Sequence, residues 1–390
     1  MTVFGLQWTQ ATDAYVRPAE SVLTSLTPAT TVAQCNTYAP WSGMRRCNLW
    51  DDGTPTAYYG DRCYTDTDVA NMGQVMVQIP KFWYCTDHGG GVYKWWISTT
   101  GADAVPAGAD GGAWKVYPSF TRDAATRAYI YLGAYEAYLN GTKLESVSGV
   151  LPKTTYSNLQ FRAAAQARAS GAVANKWEMQ DYLATCAVQL LYLVEYGNFN
   201  AQTILGRGYT GAIAIQLTGA TATGGAYASG NASYGLPGIA GGDGTKPVSY
   251  RGIENLYGNT QTYVDGLNIK ADRDPWIADH DFDSTNVAGH PYVHSTATPL
   301  SATADDYIAN IKVDTTFDYG FLPSVAGGAG TSSSTLIPDQ YVSAAGPAIR
   351  VANYGGAVTQ GSSAGPFTWW LNSASGNADA SIGSRLMYMG

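Results

Sequence analysis

The residues of this 390-residue chain that are best suited to chemistry include a serine motif close to its end. The stretch Gly361-Ser362-Ser363-Ala364-Gly365 matches G-x-S-x-G, in which the central serine can act as a nucleophile. Hydrolases of this type place their acid and their histidine after the serine, whereas the last histidine here is His294. The order of the residues therefore argues against a serine hydrolase.

Three of the four histidines lie close together and could bind a metal ion. His280 lies among the aspartates of Asp279–Asp283, and His290 and His294 have the i, i+4 spacing of a zincin helix. However, Pro291 interrupts that helix and no glutamate follows His290. We expect a polar loop here and no cofactor, with a structural divalent metal as the alternative.

The cysteines give little sign of a disulfide framework or a zinc site. Their number is odd and none forms a C-x-x-C pair, so we expect buried free thiols. The five are Cys35, Cys47, Cys63, Cys85 and Cys186. No cysteine follows Cys186, which excludes chemistry that needs a thiol in the second half of the chain.

The composition excludes several kinds of partner. The net charge of −8 argues against nucleic acids and anionic membranes, because both require a basic surface. The longest strongly apolar run, Ala187–Val194, is far shorter than the roughly 20 residues of a membrane-spanning helix. The segment Met1–Tyr15 lacks the features of a secretory signal, so we expect synthesis in the cytosol and no membrane insertion.

Two helices stand out as elements that could position functional residues. The first is predicted over Thr155–Ser170, with Ser157 as its N-cap and Gly171 at its end. The second is predicted over 177–196, with an apolar stripe that indicates burial in the core and with Gly197 at its end.

The remaining pattern is typical of short strands and loops. Strands are predicted over Val75–Tyr84, where Pro80 indicates an edge or a bulge, and over Val92–Ile97 and Tyr129–Tyr138. Thr218–Lys246 is rich in Gly, Ala, Ser and Thr and is predicted to be a long loop. Two helices followed by a looped, strand-bearing second half indicate an α+β fold.

Two segments resemble a known family. Gly252–Asn255, with Gly258-Asn259 and Asp265-Gly266, resembles the G-x-E-N-x-x-G-N-x-W-x-W-x-D-G stretch of formylglycine-generating-enzyme-like C-type lectin domains. Gln261 and Tyr263 stand where that family usually has tryptophans. The C-terminal segment resembles the variable-region frame of proteins diversified by diversity-generating retroelements, and of related phage tail proteins. Its matching residues are Gly355-Gly356, Gly361-Ser362, Ala364–Phe367, Trp369, Leu371-Asn372, Ala374-Ser375, Asn377-Ala378 and Ile382–Leu386.

The resemblance implies a domain organisation. We expect a C-type lectin-like fold of the formylglycine-generating-enzyme subtype over residues 67–390, with two helices, short strands and long Gly-rich loops. Its display segment is 350–390. A small β-rich region over residues 1–66 would precede it and serve attachment or oligomerisation.

The resemblance also implies a binding surface. Trp369 and Leu371 would pack inward and Arg385 would anchor the last strand, while the positions between the frame residues would face solvent and bind the ligand. These ligand-binding positions are Ala357, Thr359, Gln360, Ser363, Thr368, Trp370, Ser373, Asp379 and Ser381. Among them, Trp370 would be the aromatic anchor of the interface.

The function that the resemblance implies is binding without catalysis. We expect a receptor-binding protein at the tip of a phage tail, located in the virion, whose partners are a bacterial surface receptor (protein or glycan), other tail proteins and two further copies in a homotrimer. A structural tail protein, or a cellular display protein of the same fold, is the alternative. An oxidase of the formylglycine-generating type would need a pair of C-terminal cysteines that hold copper, and this chain has none after Cys186.

Overall fold

Short strands make up most of the regular structure in the residues that the structure describes. The computed structural model describes residues 2–169, 176–220, 243–270, 273–295, 300–302, 305–344 and 346–389. Within these residues strands outnumber helices, so the predicted α+β class is confirmed. The C-type lectin-like assignment stays a prediction.

The elements are numbered in chain order. The strands are β1 (Val3–Thr9), β2 (Ala14–Val16), β3 (Arg45–Leu49), β4 (Pro55–Tyr58), β5 (Gln74–Pro80), β6 (Trp83–Gly89), β7 (Val92–Ser98), β8 (Lys115–Val116), β9 (Thr121–Arg122), β10 (Ala125–Thr126), β11 (Tyr129–Gly133), β12 (Tyr138–Asn140), β13 (Lys143–Glu145), β14 (Trp177–Met179), β15 (Ser249–Tyr250), β16 (Ile253–Glu254), β17 (Gln261–Ile269), β18 (Pro275–Ile277), β19 (Val293–His294), β20 (Asp306–Ile311), β21 (Pro323–Ala326), β22 (Ile337–Ser343), β23 (Arg350–Tyr354), β24 (Trp369–Ser373), β25 (Ile382–Gly383) and β26 (Leu386–Met389). The helices are α1 (Pro28–Cys35), α2 (Val69–Met72), α3 (Asn158–Gln166), α4 (Tyr182–Tyr196) and α5 (Ala201–Ile204).

Three larger sheets organise the described residues. The first has the order β2-β1-β7-β6-β8, the second β14-β26-β11-β5-β3-β4, and the third β19-β18-β17-β23-β24-β22-β20-β21, with β25 pairing in parallel with β17. The third sheet carries most of the C-terminal segment. In it, β24 lies between β23, to which it is antiparallel, and β22, to which it is parallel.

Helix α4 is buried along its whole length. Apolar residues occupy all of its faces, and a helix of that kind is stable only inside a protein. The Asp181 side chain accepts a hydrogen bond from the Ala184 N–H at the N-terminus, and Gly197 ends the helix in the left-handed conformation (φ 64°). The prediction that the apolar stripe of this helix packs in the core is confirmed.

The predicted start of this helix is wrong. Residues Trp177–Met179 form β14, which pairs with β26, and the helix begins at Tyr182. Trp177 belongs to the sheet because its ring packs on Tyr388 and its Nε1 donates to the carbonyl oxygen of Asp51 (2.7 Å). The apolar spacing of a strand and of the helix after it thus combine into one apparent helical pattern.

The strand predicted over Val92–Ile97 is confirmed as β7 (Val92–Ser98), whereas the remaining predicted elements have shorter bounds. Helix α3 has Ser157 as its N-cap, in a capping box with Gln160, whereas the predicted end at Gly171 lies outside the described residues. The strand predicted over Val75–Tyr84 is divided after Pro80 into β5 and β6, which belong to different sheets. Tyr129–Tyr138 likewise contains β11 and β12 rather than one strand.

Residues 1–66 are not separated from the rest of the fold. Strand β1 pairs with β7, and β3 pairs with β5, so both sheets cross the predicted boundary between residues 66 and 67. Phe4, Trp8 and Trp41 lie in the same hydrophobic core as α4. The role of this region in attachment or oligomerisation stays a prediction.

Some remaining expectations can be compared with the described residues. Cys35, Cys47, Cys85 and Cys186 are buried free thiols as predicted, whereas Cys63 is exposed. Most of the predicted Gly-rich loop, residues 221–242, lies outside the described residues. Among the helices described, none has the length and apolar character needed to cross a membrane.

Candidate functional site

The C-terminal segment is fixed at its end by one buried arginine. Arg385 is fully buried, and its guanidinium donates to the carbonyl oxygens of Gly133 (2.8 Å) and Glu254 (2.7 Å). These acceptors lie on β11 and β16, so the arginine joins the segment to two sheets. The prediction that Arg385 anchors the last strand is confirmed.

The turn before β24 is held from beneath by buried polar groups. Gln189 of α4 donates from Nε2 to the carbonyl oxygen of Pro366 (2.6 Å). The carboxylate of Asp339 on β22 accepts a hydrogen bond from the Phe367 N–H (2.7 Å). Burial raises the pKa of Asp339 to about 7, while hydrogen bonds from the Phe367 and Thr368 N–H groups oppose that shift.

A second glutamine holds the loop between β23 and β24. Gln202 donates from Nε2 to the carbonyl oxygens of Gly361 (2.8 Å) and Ala364 (2.7 Å). Trp369 and Leu371 are fully buried in the main core, as predicted. The segment is therefore a rigid frame rather than a free tail.

Three of the predicted outward positions are buried, and the prediction is wrong for them. Ala357 is buried within its own loop, and its N–H donates to Gln360 Oε1 (2.5 Å). Thr368 is fully buried and its hydroxyl donates to the carbonyl oxygen of Ser363 (2.8 Å). Ser373 pairs with Val351 within the sheet and is only 9% exposed. Each is enclosed by hydrogen bonds or sheet pairing that spacing alone does not reveal.

The six other predicted positions reach the surface on two loops and one strand. Thr359, Gln360 and Ser363 lie in residues 355–363, here called loop A. Asp379 and Ser381 lie in residues 374–381, here called loop B, and Trp370 lies on β24 between the two loops in sequence. Thr359 and Asp379 are exposed, and the other four are partly exposed.

Gln261, at the beginning of β17, contacts both loops. Its Nε2 donates to Gln360 Oε1 of loop A (3.4 Å), and its backbone N–H donates to the carbonyl oxygen of Ser381 in loop B (3.0 Å). Tyr263 also holds loop B, because its hydroxyl donates to the carbonyl oxygen of Asn377 (3.0 Å). Loops A and B are thus brought together at one end of β17.

Four side chains at this place form what we call the outer-face cluster: Gln261, Asn353, Gln360 and Trp370. Asn353 donates from Nδ2 to Gln261 Oε1 (2.7 Å). Asn353 and Trp370 are direct partners across β23 and β24, so their side chains lie on the same face of the sheet. That face is opposite to the one on which Trp369 packs into the core.

The outer-face cluster contains three buried polar atoms without a hydrogen-bond partner among the described residues. They are Asn353 Oδ1, Gln360 Nε2 and Trp370 Nε1. The orientation of the Gln360 amide is fixed, because its oxygen already accepts from the Ala357 N–H. Buried polar groups are nearly always paired, so one acceptor and two donors here lack the partners that such groups normally have.

The cluster offers hydrogen bonds and an aromatic face. None of its four side chains titrates or acts as a nucleophile. Sequence reasoning missed two members, Gln261 and Asn353. The sequence does single out Gln261, because it stands where the formylglycine-generating-enzyme-like lectin domains usually have a tryptophan. For Asn353 the signal was a polar residue within the otherwise apolar run Val351–Tyr354.

The serine motif is part of loop A. Gly361–Ser363 forms a 3-10 turn between β23 and β24, and the Ser363 hydroxyl donates to the carbonyl oxygen of Gln360 (2.7 Å). A nucleophile of the hydrolase type needs a turn from a strand into a helix. Ser363 lacks that context, and its hydroxyl helps to shape the loop.

The histidines pair with separate carboxylates. His280 Nδ1 lies 2.6 Å from Asp279 Oδ1, His290 Nδ1 lies 3.0 Å from Asp281 Oδ2, and His294 stacks on Trp276. His294 belongs to β19, so it does not share a helix with His290. Within the described part of the chain no group of three His, Cys, Asp or Glu residues is arranged to hold a metal ion. The expected lack of a cofactor stays a prediction.

Comparisons with known proteins find similarity to solved structures, of which three are described here. No protein-family model and no curated protein matches the chain. The structures are those of the Major Tropism Determinant U1 variant (12% identity, TM-score 0.28), its I1 variant (12%, 0.29) and its P3c variant (10%, 0.28). In each case the match covers 86% of this chain and 88% of the other. TM-scores this low do not establish a shared fold.

Proposed function

We propose that this protein is a non-enzymatic receptor-binding protein, and that the outer-face cluster with loops A and B is its binding surface. The observation that carries the proposal is the set of three buried, unpartnered polar atoms beside a partly exposed tryptophan. An aromatic ring flanked by unused donors and an acceptor is typical of a binding anchor. The sequence resemblance supports the same segment.

The frame beneath the surface also supports a binding role. Arg385, Gln189 and Gln202 fix the backbone on both sides of the cluster, so that little conformational entropy is lost when a ligand binds. Catalysis would require a titratable or nucleophilic group at the site, and the cluster has none. The proposed place of the protein is a phage tail tip within the virion, with a bacterial surface molecule as its receptor.

The proposal extends to a homotrimer together with other tail proteins. Several weak patches on one assembly bind a cell surface more tightly than a single patch does. The mass of the purified protein in solution, from light scattering, checks this part of the proposal. A monomer at micromolar concentration would exclude avidity from a homotrimer.

The test of the binding surface uses fluorescently labelled protein and a panel of bacterial strains. We expect the wild-type protein to bind at least one strain, and Trp370→Ala to weaken that binding by at least about tenfold, as is typical of an aromatic hot spot. Trp50→Ala is the matched control, because Trp50 is also partly exposed but lies beside β3, outside loops A and B and the outer-face cluster. Urea unfolding shows that both variants are folded.

Two outcomes would contradict the proposal. If folded Trp370→Ala binds the same strain as tightly as the wild type, the outer-face cluster is not the binding surface. If the wild-type protein binds none of the strains in a broad panel, the result contradicts the receptor-binding proposal and supports the alternative of a purely structural tail protein.

A further inference from the structure

A polar cleft of about 670 Å³ opens where the β9–β10 hairpin, α3, β14 and the loop after β18 meet. Its volume lies within the range of roughly 300–1,000 Å³ that is usual for small-ligand sites. None of its lining residues belongs to loops A and B or to the outer-face cluster. The cleft is therefore separate from the proposed receptor-binding surface.

The back wall of the cleft is fixed by two buried ion pairs. Arg122 pairs with Asp181, and Arg162 pairs with Asp265 through two hydrogen bonds, one of them 2.9 Å from Nε to Oδ2. These pairs neutralise both guanidinium charges and hold their planes in place. The wall is thus rigid before any ligand arrives.

The floor of the cleft is the carboxyl group of Glu178. Gln166 of α3 donates from Nε2 to both of its oxygens (3.2 and 3.0 Å). Burial raises the pKa of Glu178 to about 8, and the negative charge of Asp265 adds to that shift, while Arg122, Gln166 and Arg162 oppose it. At neutral pH this carboxyl is mainly protonated and can both donate and accept a hydrogen bond.

Two cations of the cleft form no ion pair with the residues that the structure describes. Arg127 and Lys176 have no carboxylate within 4.0 Å among the described residues, and Arg127 Nε is buried without a hydrogen-bond partner. Arg122, which is only 8% exposed, has an unpartnered Nε as well. Unused charged donors beside a protonated carboxyl favour a ligand that carries a negative charge.

The remaining lining residues favour a ligand rich in hydroxyl groups. Nine of the ten lining residues are polar or charged, and Phe282 is the exception. An apolar peptide side chain or a lipid would find little to pack on in such a cleft. A polyhydroxylated ring can donate to acceptors such as Asp281 and accept from the donors, whereas the negative charge of inorganic phosphate would be repelled by Asp281.

We propose that this cleft binds an acidic sugar, a ring of hydroxyl groups that carries one carboxylate. Arg127 and Lys176 bind the carboxylate, and Glu178 and Gln166 bind hydroxyls at the floor. The proposal does not rest on the outer-face cluster, and each site can fail without the other.

Calorimetric titration with three probes tests the proposal. D-glucuronate should bind at least about tenfold more tightly than D-glucose, which has the same ring without the carboxylate, because hydrogen bonds to charged groups are stronger than neutral ones. The double variant Arg127→Gln with Lys176→Gln should lose that preference. The matched control is Arg62→Gln with Lys143→Gln, which removes one exposed arginine and one exposed lysine outside the cleft.

A pH series separates a specific role of Glu178 from a merely structural one. In the wild-type protein, glucuronate binding should weaken as the pH rises through about 8, because ionised Glu178 repels the ligand carboxylate. Glu178→Gln should bind glucuronate with little change between pH 6.5 and 9.5.

Three results would overturn the proposal. They are equal affinity for glucuronate and glucose, unchanged binding by the folded Arg127→Gln, Lys176→Gln variant, or binding of phosphate as tight as that of glucuronate. The last result would indicate a general anion site without sugar recognition.

Discussion

Gly365 shows how one missing atom sets the shape of the proposed binding surface. A β-carbon at this position would overlap the carboxyl group of Asp339, which accepts the Phe367 N–H. The turn can approach β22 this closely only because residue 365 has no side chain. The path of the chain from loop A into β24 depends on this contact.

We therefore predict that Gly365→Ala destabilises the protein by about 1–3 kcal/mol, the usual cost of forcing extra volume into a packed site. Urea unfolding measures the loss. Gly376→Ala is the matched control, because a β-carbon there meets no atom within 4 Å. If Gly365→Ala unfolds at the same urea concentration as the wild type, the turn is not constrained as the structure implies.

The sequence predicted the frame of this surface better than its outward residues. Trp369, Leu371 and Arg385 are buried as expected. Large apolar side chains are stable mainly in the core, and an arginine can be buried only where acceptors for its guanidinium are present. Ala357, Thr368 and Ser373 were expected outside and lie inside. Their small side chains fit either environment, so only the hydrogen bonds of loop A and the pairing of β24 decide where they lie.

The free energy of unfolding should depend on pH through Asp339, a buried carboxyl group on β22. Its pKa, raised to about 7 by burial, means that the folded protein keeps a proton that the unfolded chain releases near pH 4. The contribution of this group to stability is fully present below about pH 4. It is lost as the pH rises through about 7.

We predict that Asp339→Asn gains stability relative to the wild type as the pH rises from 4 to 8. The free energy of unfolding in urea, measured for both proteins at each pH, gives the difference, in which the other carboxyl groups cancel. A difference that stays constant over this range would show that Asp339 does not titrate as its buried position implies.

At the scale of elements, the sequence predicted regular structure but not its partners. Helices α3 and α4 were found because their caps and apolar spacing are local signals. The division of residues 177–196 into β14 and α4 was missed, because β14 exists only through its pairing with β26, more than 200 residues later in the chain. Contacts of that range leave no local pattern.

At the scale of the whole molecule, the N-terminal region is part of the core. Removal of residues 1–66 would take β1 and β3 from their sheets and expose the apolar groups that they cover. We predict that a chain of residues 67–390 shows no cooperative unfolding in urea, whereas the full chain does. A stable, cooperatively unfolding 67–390 chain would restore the boundary that the sequence suggested.

Strand β26 also has a consequence for how the protein is made. Residues Leu386–Met389 lie between β14, which is the edge strand of this sheet, and β11. A polypeptide that stops or changes reading frame before residue 386 leaves β14 without its strand partner and leaves β11 paired on one side only, with β5. This sheet is therefore complete only after translation has passed that point in the correct frame. A stop codon or a frameshift within the segment of loops A and B is therefore expected to yield a protein that lacks part of this sheet.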